Sequence, residues 1–194
     1  RYWCDRAGRR VFRAREDGSE ITVLVQAGLF PAHCGDYTRH CVGLAVDHQR
    51  GHIYWTQKGP SKGGKGRILR AGLTLPQGAE ADNRPDIEVV MADLPEPIDL
   101  EFDAEAGVMY WTDRGDAAKG GNSLNSARLV NGRFTDHQIL ARGLEEGIAL
   151  VSDRKSGRMW LTDLGGNVWE YSLTRGGPLR CIFKLGPLTG ITYG

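Results

Sequence analysis

The sequence is poor in cysteine, and its few cysteines follow no familiar spacing. Four cysteines are spread over 194 residues, and only Cys34 and Cys41 lie close together. This number is too small for a disulfide-rich scaffold, and the absence of a C-x-x-C pair argues against a structural zinc site. We predict mostly free thiols and leave a Cys34–Cys41 bridge open, because both residues lie in one predicted loop.

Long apolar runs, an N-x-[ST] sequon and an excess of either charge are also missing. No apolar run approaches the roughly 18 residues of a transmembrane helix, and 25 basic against 24 acidic side chains give a formal net charge of +1. We therefore expect neither nucleic acid nor a membrane as a partner. These absences favour a cytoplasmic setting. The chain opens at Arg1 without a methionine or signal peptide, so we expect it to be processed, trimmed or part of something longer.

Glycine, by contrast, is abundant, with 27 residues. The run "GPSKGGKG" (59–66) comes within one residue of G-x-x-x-x-G-K-[ST], the loop that cradles nucleotide phosphates. Gly66 replaces the Ser or Thr whose hydroxyl binds Mg²⁺. The following stretch, Arg67–Ala71, resembles a strand and not the helix whose first amides would face the phosphate. Nucleotide binding is therefore not predicted.

Three segments of the chain are copies of one unit, and a fourth copy is cut at its start. The copies are "AVDHQRGHIYWTQ" (45–57), "EFDAEAGVMYWTD" (101–113) and "VSDRKSGRMWLTD" (151–163), and "RYWCD" (1–5) matches their second half. Each full copy carries an aspartate, a glycine four residues later, an aromatic residue and a final Gln or Asp at identical offsets. These positions are Asp47, Asp103 and Asp153; Gly51, Gly107 and Gly157; Tyr54, Tyr110 and Trp160; and Gln57, Asp113 and Asp163.

Each unit predicts strands only. An apolar run leads into a polar turn ending in glycine, which tolerates the φ > 0 of a tight hairpin, and the second strand carries the aromatics. The predicted first strands are Val42–Val46, Ile98–Phe102 and Ile148–Val151, the third strands Val11–Ala14, Ile68–Ala71, Ser126–Leu129 and Val168–Leu173, and the fourth strands Ile21–Gln26, Ile87–Met91, Gln138–Ala141 and Cys181–Lys184. Four antiparallel strands repeated about every 50 residues are typical of a β-propeller blade. We predict an all-β propeller with about four blades in one domain, 1–194.

Two further features fit this fold. The last segment, "LTGITYG" (188–194), reads as a first strand, and the chain ends could complete a blade together and remove an exposed sheet edge. The repeated aspartates are expected to bind turn amides. The repeat places them in separate blades, so we do not predict a calcium or catalytic set.

The motifs "YWTQ", "YWTD", "YWCD" and "WLTD" are similar to those of the YWTD propellers of low-density-lipoprotein-receptor-type proteins, a six-bladed family. Longer stretches, including "LPEPIDLEFD" and "IYWTQKGPSKGGKGRILRA", resemble a branch of cytosolic fungal and bacterial YWTD proteins. That branch is often labelled as dehydrogenases, although this sequence lacks the dinucleotide motif G-x-G-x-x-G. Its characterised members include hetero-Diels–Alderases that join a tropolone quinone methide to a sesquiterpene alkene.

The resemblance implies a cofactor-free cyclase acting on an apolar small molecule. It also implies two more blades before "YWCD", supplied by a partner chain or an N-terminal segment, unless four blades close alone. The six-bladed ring is the favoured alternative. The other functional hypothesis is a non-catalytic propeller that binds a protein or peptide, as receptor YWTD domains do.

Two regions are candidates for the site. The glycine-rich insertions Lys58–Gly66 and Arg114–Asn122 are expected on the face opposite the Asp-to-Gly hairpins, with solvent-exposed decoration as the alternative. Asp99 breaks the repeat near the predicted axis, since the equivalent positions are small. Those positions are Gly43, Ala149 and Gly190. A salt bridge from Asp99 to Arg114 or Arg67 is the structural alternative.

The candidate residues follow from these regions and from the resemblance. The proposed catalytic residues are Lys62, Arg114, Asn125 and Asp99. The proposed substrate-binding residues are Trp55, Lys58, Lys65, Trp111, Asn122, His40, Glu146 and Thr189. No cofactor is predicted. No metal is predicted either, because a set of Asp99, Glu101 and Glu146 offers fewer oxygens than a hard cation needs.

Overall fold

The repeated aspartate and glycine build the same tight turn in each full copy. In the computed structural model, which describes residues 1–193, the Asp103 carboxylate accepts hydrogen bonds from the amides of Glu105 and Ala106 at 3.0 and 2.9 Å. Asp47 and Asp153 bind amides of their own turns in the same way. The glycine that ends each turn has φ between 64° and 69°. The turns join first and second strands, as predicted.

Residues 1–193 form fifteen strands and two single-turn 3₁₀ helices. The strands are β1 (Tyr2–Asp5), β2 (Arg10–Arg13), β3 (Thr22–Gln26), β4 (Cys41–Asp47), β5 (His52–Gln57), β6 (Gly66–Gly72), β7 (Glu88–Leu94), β8 (Pro97–Asp103), β9 (Val108–Asp113), β10 (Ser123–Val130), β11 (Arg133–Arg142), β12 (Gly147–Asp153), β13 (Arg158–Asp163), β14 (Asn167–Ser172) and β15 (Arg180–Lys184). The 3₁₀ helices are Tyr37–Arg39 and Ala117–Lys119. Neither helix in this part of the chain is long enough to cross a membrane.

The strands pair in chain order into four antiparallel sheets, one for each repeat. Blade I (β1–β3) has three strands, and blades II (β4–β7), III (β8–β11) and IV (β12–β15) have four each. The inner strands β4, β8 and β12 lie side by side. This is the predicted β-propeller architecture, and no helix within residues 1–193 exceeds one turn.

The hydrophobic core is divided into three layers, one between each pair of neighbouring blades. Apolar side chains of one blade face those of the next, so each layer buries residues from two sheets. Between blades I and II the layer includes Val11, Leu24, Val25, Ile53, Trp55 and Leu69. Between blades II and III it includes Tyr54, Ile68, Leu100, Phe102, Met109 and Trp111. Between blades III and IV it includes Leu124, Leu144, Leu150, Met159, Leu161 and Tyr171.

The threonine of the YWTD motif joins each inner strand to the next. The Thr56 hydroxyl donates to the Ile98 carbonyl at 2.6 Å and accepts from the Gly43 amide at 2.8 Å. The Thr112 hydroxyl donates to the Ile148 carbonyl at 3.0 Å. A buried hydroxyl bonded on both sides avoids the cost of an unpaired polar group. This threonine therefore fixes the position of one blade relative to the next.

Blade I uses cysteine for this link. Cys4 stands in the threonine position of "YWCD", and its Sγ donates to the Gly43 carbonyl at 3.6 Å. A thiol is a weak donor, so we expect a weaker link there. All four cysteines are free, with Cys41 buried and Cys34 exposed. The open question of a Cys34–Cys41 bridge is thereby answered.

The prediction that the last segment, 188–194, forms a strand is wrong. Within Leu188–Tyr193 the structure has no strand, and Gly194 lies outside the described residues. A strand needs a neighbour that accepts its ladder of hydrogen bonds. Its expected partner, β1, pairs with β2 in blade I, and the two ends of the blade array do not form one sheet.

Candidate functional site

A pocket lies on the propeller axis, and four segments of the chain line it with residues at equivalent positions of the repeat. Each inner strand contributes the residue that the repeat aligns with Asp99 and the residue before it, and the segment after blade IV contributes the fourth pair. The pocket encloses about 230 Å³ and is lined by Val42, Gly43, Ile98, Asp99, Ile148, Ala149, Thr189, Gly190 and Ile191. We call it the axial pocket. The predicted equivalence of Gly43, Asp99, Ala149 and Gly190 is thus confirmed.

Asp99 is the ionisable residue among the nine that line the axial pocket. Its Oδ2 accepts a hydrogen bond from the Leu150 amide of blade IV at 3.2 Å, and its Oδ1 accepts from the Leu100 amide at 3.0 Å. Burial raises the pKa of Asp99 to about 6, although both amide hydrogen bonds act in the opposite direction. A carboxyl group with this pKa can donate or accept a proton near neutral pH.

The salt bridge expected for Asp99 is wrong. Arg114 pairs with Glu96 at 3.0 Å and lies 3.8 Å from a Glu146 oxygen. Arg67 donates to Gln57 and to the Thr38 carbonyl. Both cations thus have other acceptors. Within residues 1–193, the Asp99 carboxylate is held by the Leu100 and Leu150 amides and forms no salt bridge.

Basic and acidic side chains contact each other at the N-terminal ends of the inner strands β4, β8 and β12. Lys58 Nζ is 2.8 Å from Glu96 Oε1, and Arg114 reaches both Glu96 and Glu146. In blade I, Arg6 Nε donates to His40 Nδ1 at 3.4 Å. We call this set the charged belt. Four of the predicted site residues therefore come together here, namely Lys58, Arg114, His40 and Glu146.

The charged belt follows the repeat. His40, Glu96 and Glu146 occupy one aligned position, and each backbone carbonyl accepts the amide of the residue after the "YWTD" unit of its own blade. These bonds are Lys58 to His40, Arg114 to Glu96 and Leu164 to Glu146, at 3.1 to 3.4 Å. Burial lowers the pKa of His40, and the nearby cations lower it further. His40 is therefore neutral at physiological pH, which suits its acceptor role.

Glu96 is the central residue of the belt, and the sequence reasoning did not select it. It is almost fully buried and also accepts a hydrogen bond from the Lys62 amide at 3.0 Å. Burial alone would raise the pKa of Glu96, but the hydrogen bonds from Lys58 and Lys62 outweigh it and lower the pKa. The sequence signal that could have found Glu96 is its alignment with His40 and Glu146, together with the basic residues Lys58 and Arg114 that follow the YWTD units.

The glycine-rich loop between β5 and β6 is fastened at several points. Lys62 has φ of 52°, and its amide binds Glu96, while the Gly64 amide donates to the Pro95 carbonyl at 3.2 Å. The Lys62 and Lys65 side chains remain exposed. Gly66 begins β6, so no helix follows the loop. The prediction that a strand follows this loop is therefore confirmed.

The expectation that Trp55, Trp111 and Asn125 reach the cavity is wrong. Both tryptophans are 0% exposed and lie in the layers between blades. The buried Asn125 Nδ2 donates to Ser123 Oγ at 2.8 Å, and its Oδ1 lies 3.0 Å from His137 Nε2. Propeller side chains of the second and third strands point at neighbouring blades, not at the axis.

Asn122, a predicted substrate-binding residue, also makes structural hydrogen bonds. It has φ of 52°, and its carbonyl accepts the amides of Gly143 and Leu144 at 3.1 and 3.2 Å. Its Oδ1 accepts the Glu146 amide at 3.3 Å. Asn122 thus fixes the connection into β12. Within residues 1–193, no three His, Cys, Asp or Glu side chains converge as metal ligands.

Comparison with known proteins places the chain beside two fungal proteins. It is 44% identical over 199 aligned residues to a low-density lipoprotein receptor-related protein 1 of Pyricularia oryzae, with 98% of this chain and 63% of that protein covered. It is 38% identical over 194 residues to the 3-hydroxyacyl-CoA dehydrogenase-like protein LAM1 of Cochliobolus heterostrophus, with 94% and 41% covered. The chain thus spans less than two thirds of these relatives. No model of a known protein family matches it.

Solved structures agree on the fold. A gluconolactonase of Xanthomonas campestris superposes with a TM-score of 0.67 at 21% identity, over 99% of this chain and 61% of that one. The PQQ-bound aldose sugar dehydrogenase of Streptomyces coelicolor superposes with a TM-score of 0.62 at 17% identity, over 95% and 57%. At these identities the likeness establishes the propeller fold alone.

Proposed function

We propose that the protein is a small-molecule-converting propeller whose reaction takes place in the axial pocket. The observation that carries this proposal is the lining of the pocket, where one carboxyl group with a pKa of about 6 stands among apolar residues. Pockets that bind small molecules are typically apolar with a few placed polar groups. The proposed reaction class, taken from the sequence resemblance, is a cofactor-free hetero-Diels–Alder cyclisation.

This reaction asks little of the protein beyond placement and polarisation. The quinone methide supplies a C=C–C=O unit and the alkene a C=C bond, and one C–C and one C–O bond form with no atom lost. The apolar wall made by Val42, Ile98 and Ile148 would hold the two partners together. Protonated Asp99 would donate a hydrogen bond to the quinone-methide oxygen as its negative charge grows, and the Thr189 hydroxyl is a second donor at the same level.

The charged belt has a supporting role in this proposal. Glu96 accepts hydrogen bonds from Lys58, Arg114 and the Lys62 amide, and these bonds would hold the N-terminal ends of the inner strands in one arrangement. The exposed Lys62 ammonium remains a proposed contact for an anionic or carbonyl oxygen of the ligand. Arg114 is a positioning residue here, because its guanidinium is occupied by Glu96.

The test is a cycloaddition assay with defined reactants. An ortho-quinone methide generated in situ is mixed with a sesquiterpene alkene, with and without protein, and the adduct is separated on a chiral column. We expect an excess of one enantiomer and a rate above background, both reduced roughly tenfold or more by Asp99→Asn. Asp136→Asn, at an exposed site on β11, is the matched control. A racemic adduct at the background rate would reject the proposal.

An exposed apolar loop favours a second candidate, a peptide-binding module. Phe30 is 82% exposed, and Leu29 and Tyr37 on the same connection between β3 and β4 are also exposed. Exposed apolar patches often mark interaction sites. Selection of peptides from a displayed library on the purified protein tests this function. Enrichment that disappears with Phe30→Ser but persists with Asp99→Asn would favour binding over catalysis.

A further inference from the structure

A second cavity lies between blades III and IV, away from the propeller axis. It encloses about 220 Å³, and the residues that matter for its chemistry are Val108, Tyr110, Ser126, Gln138, Leu140 and Tyr171. They come from β9, β10 and β11 of blade III and from β14 of blade IV. None of them lines the axial pocket. We call this cavity the interblade pocket.

The equivalent place between blades II and III is filled by side chains. Tyr54, the counterpart of Tyr110, is 0% exposed, and its ring packs on Phe102 with centroids 5.1 Å apart. Arg70 is the cross-strand partner of Tyr54 on β6, and it forms an ion pair with Glu88 at 2.6 Å. A phenyl ring and a paired arginine therefore occupy the space beside this tyrosine.

Two serines replace these large side chains one interface further along. By the repeat, Ser152 stands where blade III carries Phe102. Ser126 pairs with Tyr110 across β9 and β10, in the place that Arg70 takes in blade II. The loss of a phenyl ring and of an arginine side chain leaves open space beside Tyr110.

The same replacements remove charge from the interface. Gln138 pairs with Ser126, whereas Glu88 pairs with Arg70 in blade II. An ion pair has thus become a hydroxyl and an amide, and each of these groups can both donate and accept a hydrogen bond. The interblade pocket is therefore suited to a ligand with neutral donors and acceptors.

Hydroxyl groups in the pocket lack partners in the protein. Tyr171 is 4% exposed and Ser126 is 9% exposed, and within residues 1–193 neither hydroxyl forms a hydrogen bond. Burial raises the pKa of Tyr171 and of Tyr110, which keeps both phenols protonated and able to donate. Because buried polar groups are normally paired and an unpaired one costs free energy, these hydroxyls indicate a ligand that bonds to them.

A single neutral sugar ring has the chemistry that the interblade pocket requires. Its hydroxyls both donate and accept, and its C–H groups can pack on the apolar part of a phenol ring. The cavity is smaller than the roughly 300–1,000 Å³ of sites for drug-sized ligands, so it holds one ring. The exposed Arg128 and Asp136 also line it and carry opposite charges, so no net charge favours an ion.

We propose that the interblade pocket is a second binding site, which takes one neutral sugar ring. Tyr171 and Ser126 hydrogen-bond the hydroxyls of the ring at the buried end of the pocket, and Gln138 does so at the exposed end. Val108 and Leu140 contact its C–H groups. The site shares no residue with the axial pocket, so this proposal goes beyond the proposed cyclisation and does not depend on it.

Saturation-transfer difference NMR tests the proposal on the 194-residue chain with D-glucose, D-galactose, D-mannose and N-acetyl-D-glucosamine. We expect at least one of these sugars to bind with a roughly millimolar Kd, as a ligand of about a dozen non-hydrogen atoms should. Tyr171→Phe keeps the ring and removes the hydroxyl, so it should weaken this binding about fivefold or more. Tyr2→Phe, at the aligned tyrosine of blade I, is the matched control and should leave binding unchanged.

A double change rebuilds the preceding interface in this one. Ser126→Arg together with Gln138→Glu reproduces the ion pair of Arg70 and Glu88, so it should fill the pocket and abolish sugar binding. Circular dichroism checks that the β structure of the double variant is unchanged. Tyr171→Phe removes only an unpaired hydroxyl and should fold even if the double variant does not.

Methyl glycosides of the same sugars distinguish the two sources of such a ring. Binding as tight as that of the free sugar indicates the end of a glycan, and loss of binding indicates a free sugar.

Three results would overturn the proposal. The first is that none of the four sugars binds, and the second is that Tyr171→Phe leaves sugar binding unchanged, because the sugar would then lie elsewhere. The third is that inorganic phosphate binds in place of the sugars and is lost with Arg128→Gln, which would identify an anion site. No quinone methide or alkene enters these measurements, so their outcome is independent of the proposed cyclisation.

Discussion

At the scale of single residues, Asp99 and Glu96 are two carboxyl groups at the start of the same strand, β8, whose pKa values shift in opposite directions. Glu96 is surrounded by cations, and its hydrogen bonds lower its pKa despite burial. Asp99 meets backbone amides and apolar walls, and burial raises its pKa to about 6. The sequence identified Asp99 as a break in the repeat, but it could not reveal the partners Leu150, Lys58 and Lys62, because these come from neighbouring blades.

The titration of Asp99 predicts a pH-dependent stability difference. Folding raises the pKa of this carboxyl above its unfolded value of about 4, so its contribution is full below that value and is lost as pH rises through about 6. Asp99→Asn removes this loss. The free energy of unfolding of the variant relative to the natural protein should rise by about 1–2 kcal/mol between about pH 4 and pH 7.

Urea unfolding at several pH values measures this difference. Asp113, whose pKa burial also raises to about 6, is present in both proteins, so its effect cancels. Asp136→Asn, at an exposed site on β11, is the matched control. A difference between Asp99→Asn and the natural protein that stays constant across this range would contradict the account of Asp99.

Glu96 predicts a large loss of stability on neutralisation. Glu96→Gln leaves the Lys58 ammonium, whose side chain is 5% exposed, without its counter-charge. Breaking one partner of a buried pair typically costs about 3–5 kcal/mol. Glu88→Gln, at the exposed end of the Arg70 pair, should cost less than about 1 kcal/mol. Chemical denaturation of both variants measures the contrast, and equal losses would show that Glu96 is not central to the belt.

At the scale of elements, the strands were predicted well and the last segment was not. The hairpins come from local signals, an aspartate that binds turn amides and a glycine with positive φ, so β4–β5, β8–β9 and β12–β13 were foreseen from the repeat. Leu188–Tyr193 has the same apolar pattern but no partner in its sheet. A strand depends on its neighbour, and sequence pattern alone does not supply one.

The loop between the second and third strands of blade III packs closely against the β7–β8 connection, and this contact can be tested. In the loop after β9, a Cβ on Gly115 would lie 2.7 Å from the Pro95 carbonyl carbon and 2.9 Å from the Glu96 amide. Gly115→Ala should therefore displace the β7–β8 connection and destabilise the protein by about 1–3 kcal/mol. Gly35→Ala, with nothing within 4 Å, is the control. Thermal unfolding compares them, and similar melting temperatures would show that this contact can relax.

At the scale of the whole molecule, three buried layers join four blades, and two faces remain open. The sequence predicted the blade count and the axial level of Asp99, because both follow from counting along the repeat. It did not predict that the charged belt would use two of the four expected ligand-binding cations, Lys58 and Arg114. That arrangement depends on which blades become neighbours, a property of the ring and not of any one repeat.

The central claim is that the axial pocket is the reaction site, and filling it is the most direct test. Ala149 lines the pocket and is nearly buried, so Ala149→Phe should occupy the space between the inner strands. The cycloaddition rate with the quinone methide and alkene is then measured for this variant and for Lys155→Ala, an exposed change on the hairpin face. The account predicts at least a roughly tenfold loss of rate and enantiomeric excess for Ala149→Phe, since the partners lose their placement, with secondary structure by circular dichroism unchanged. An Ala149→Phe protein that remains folded and gives the same adduct at the same rate would contradict it.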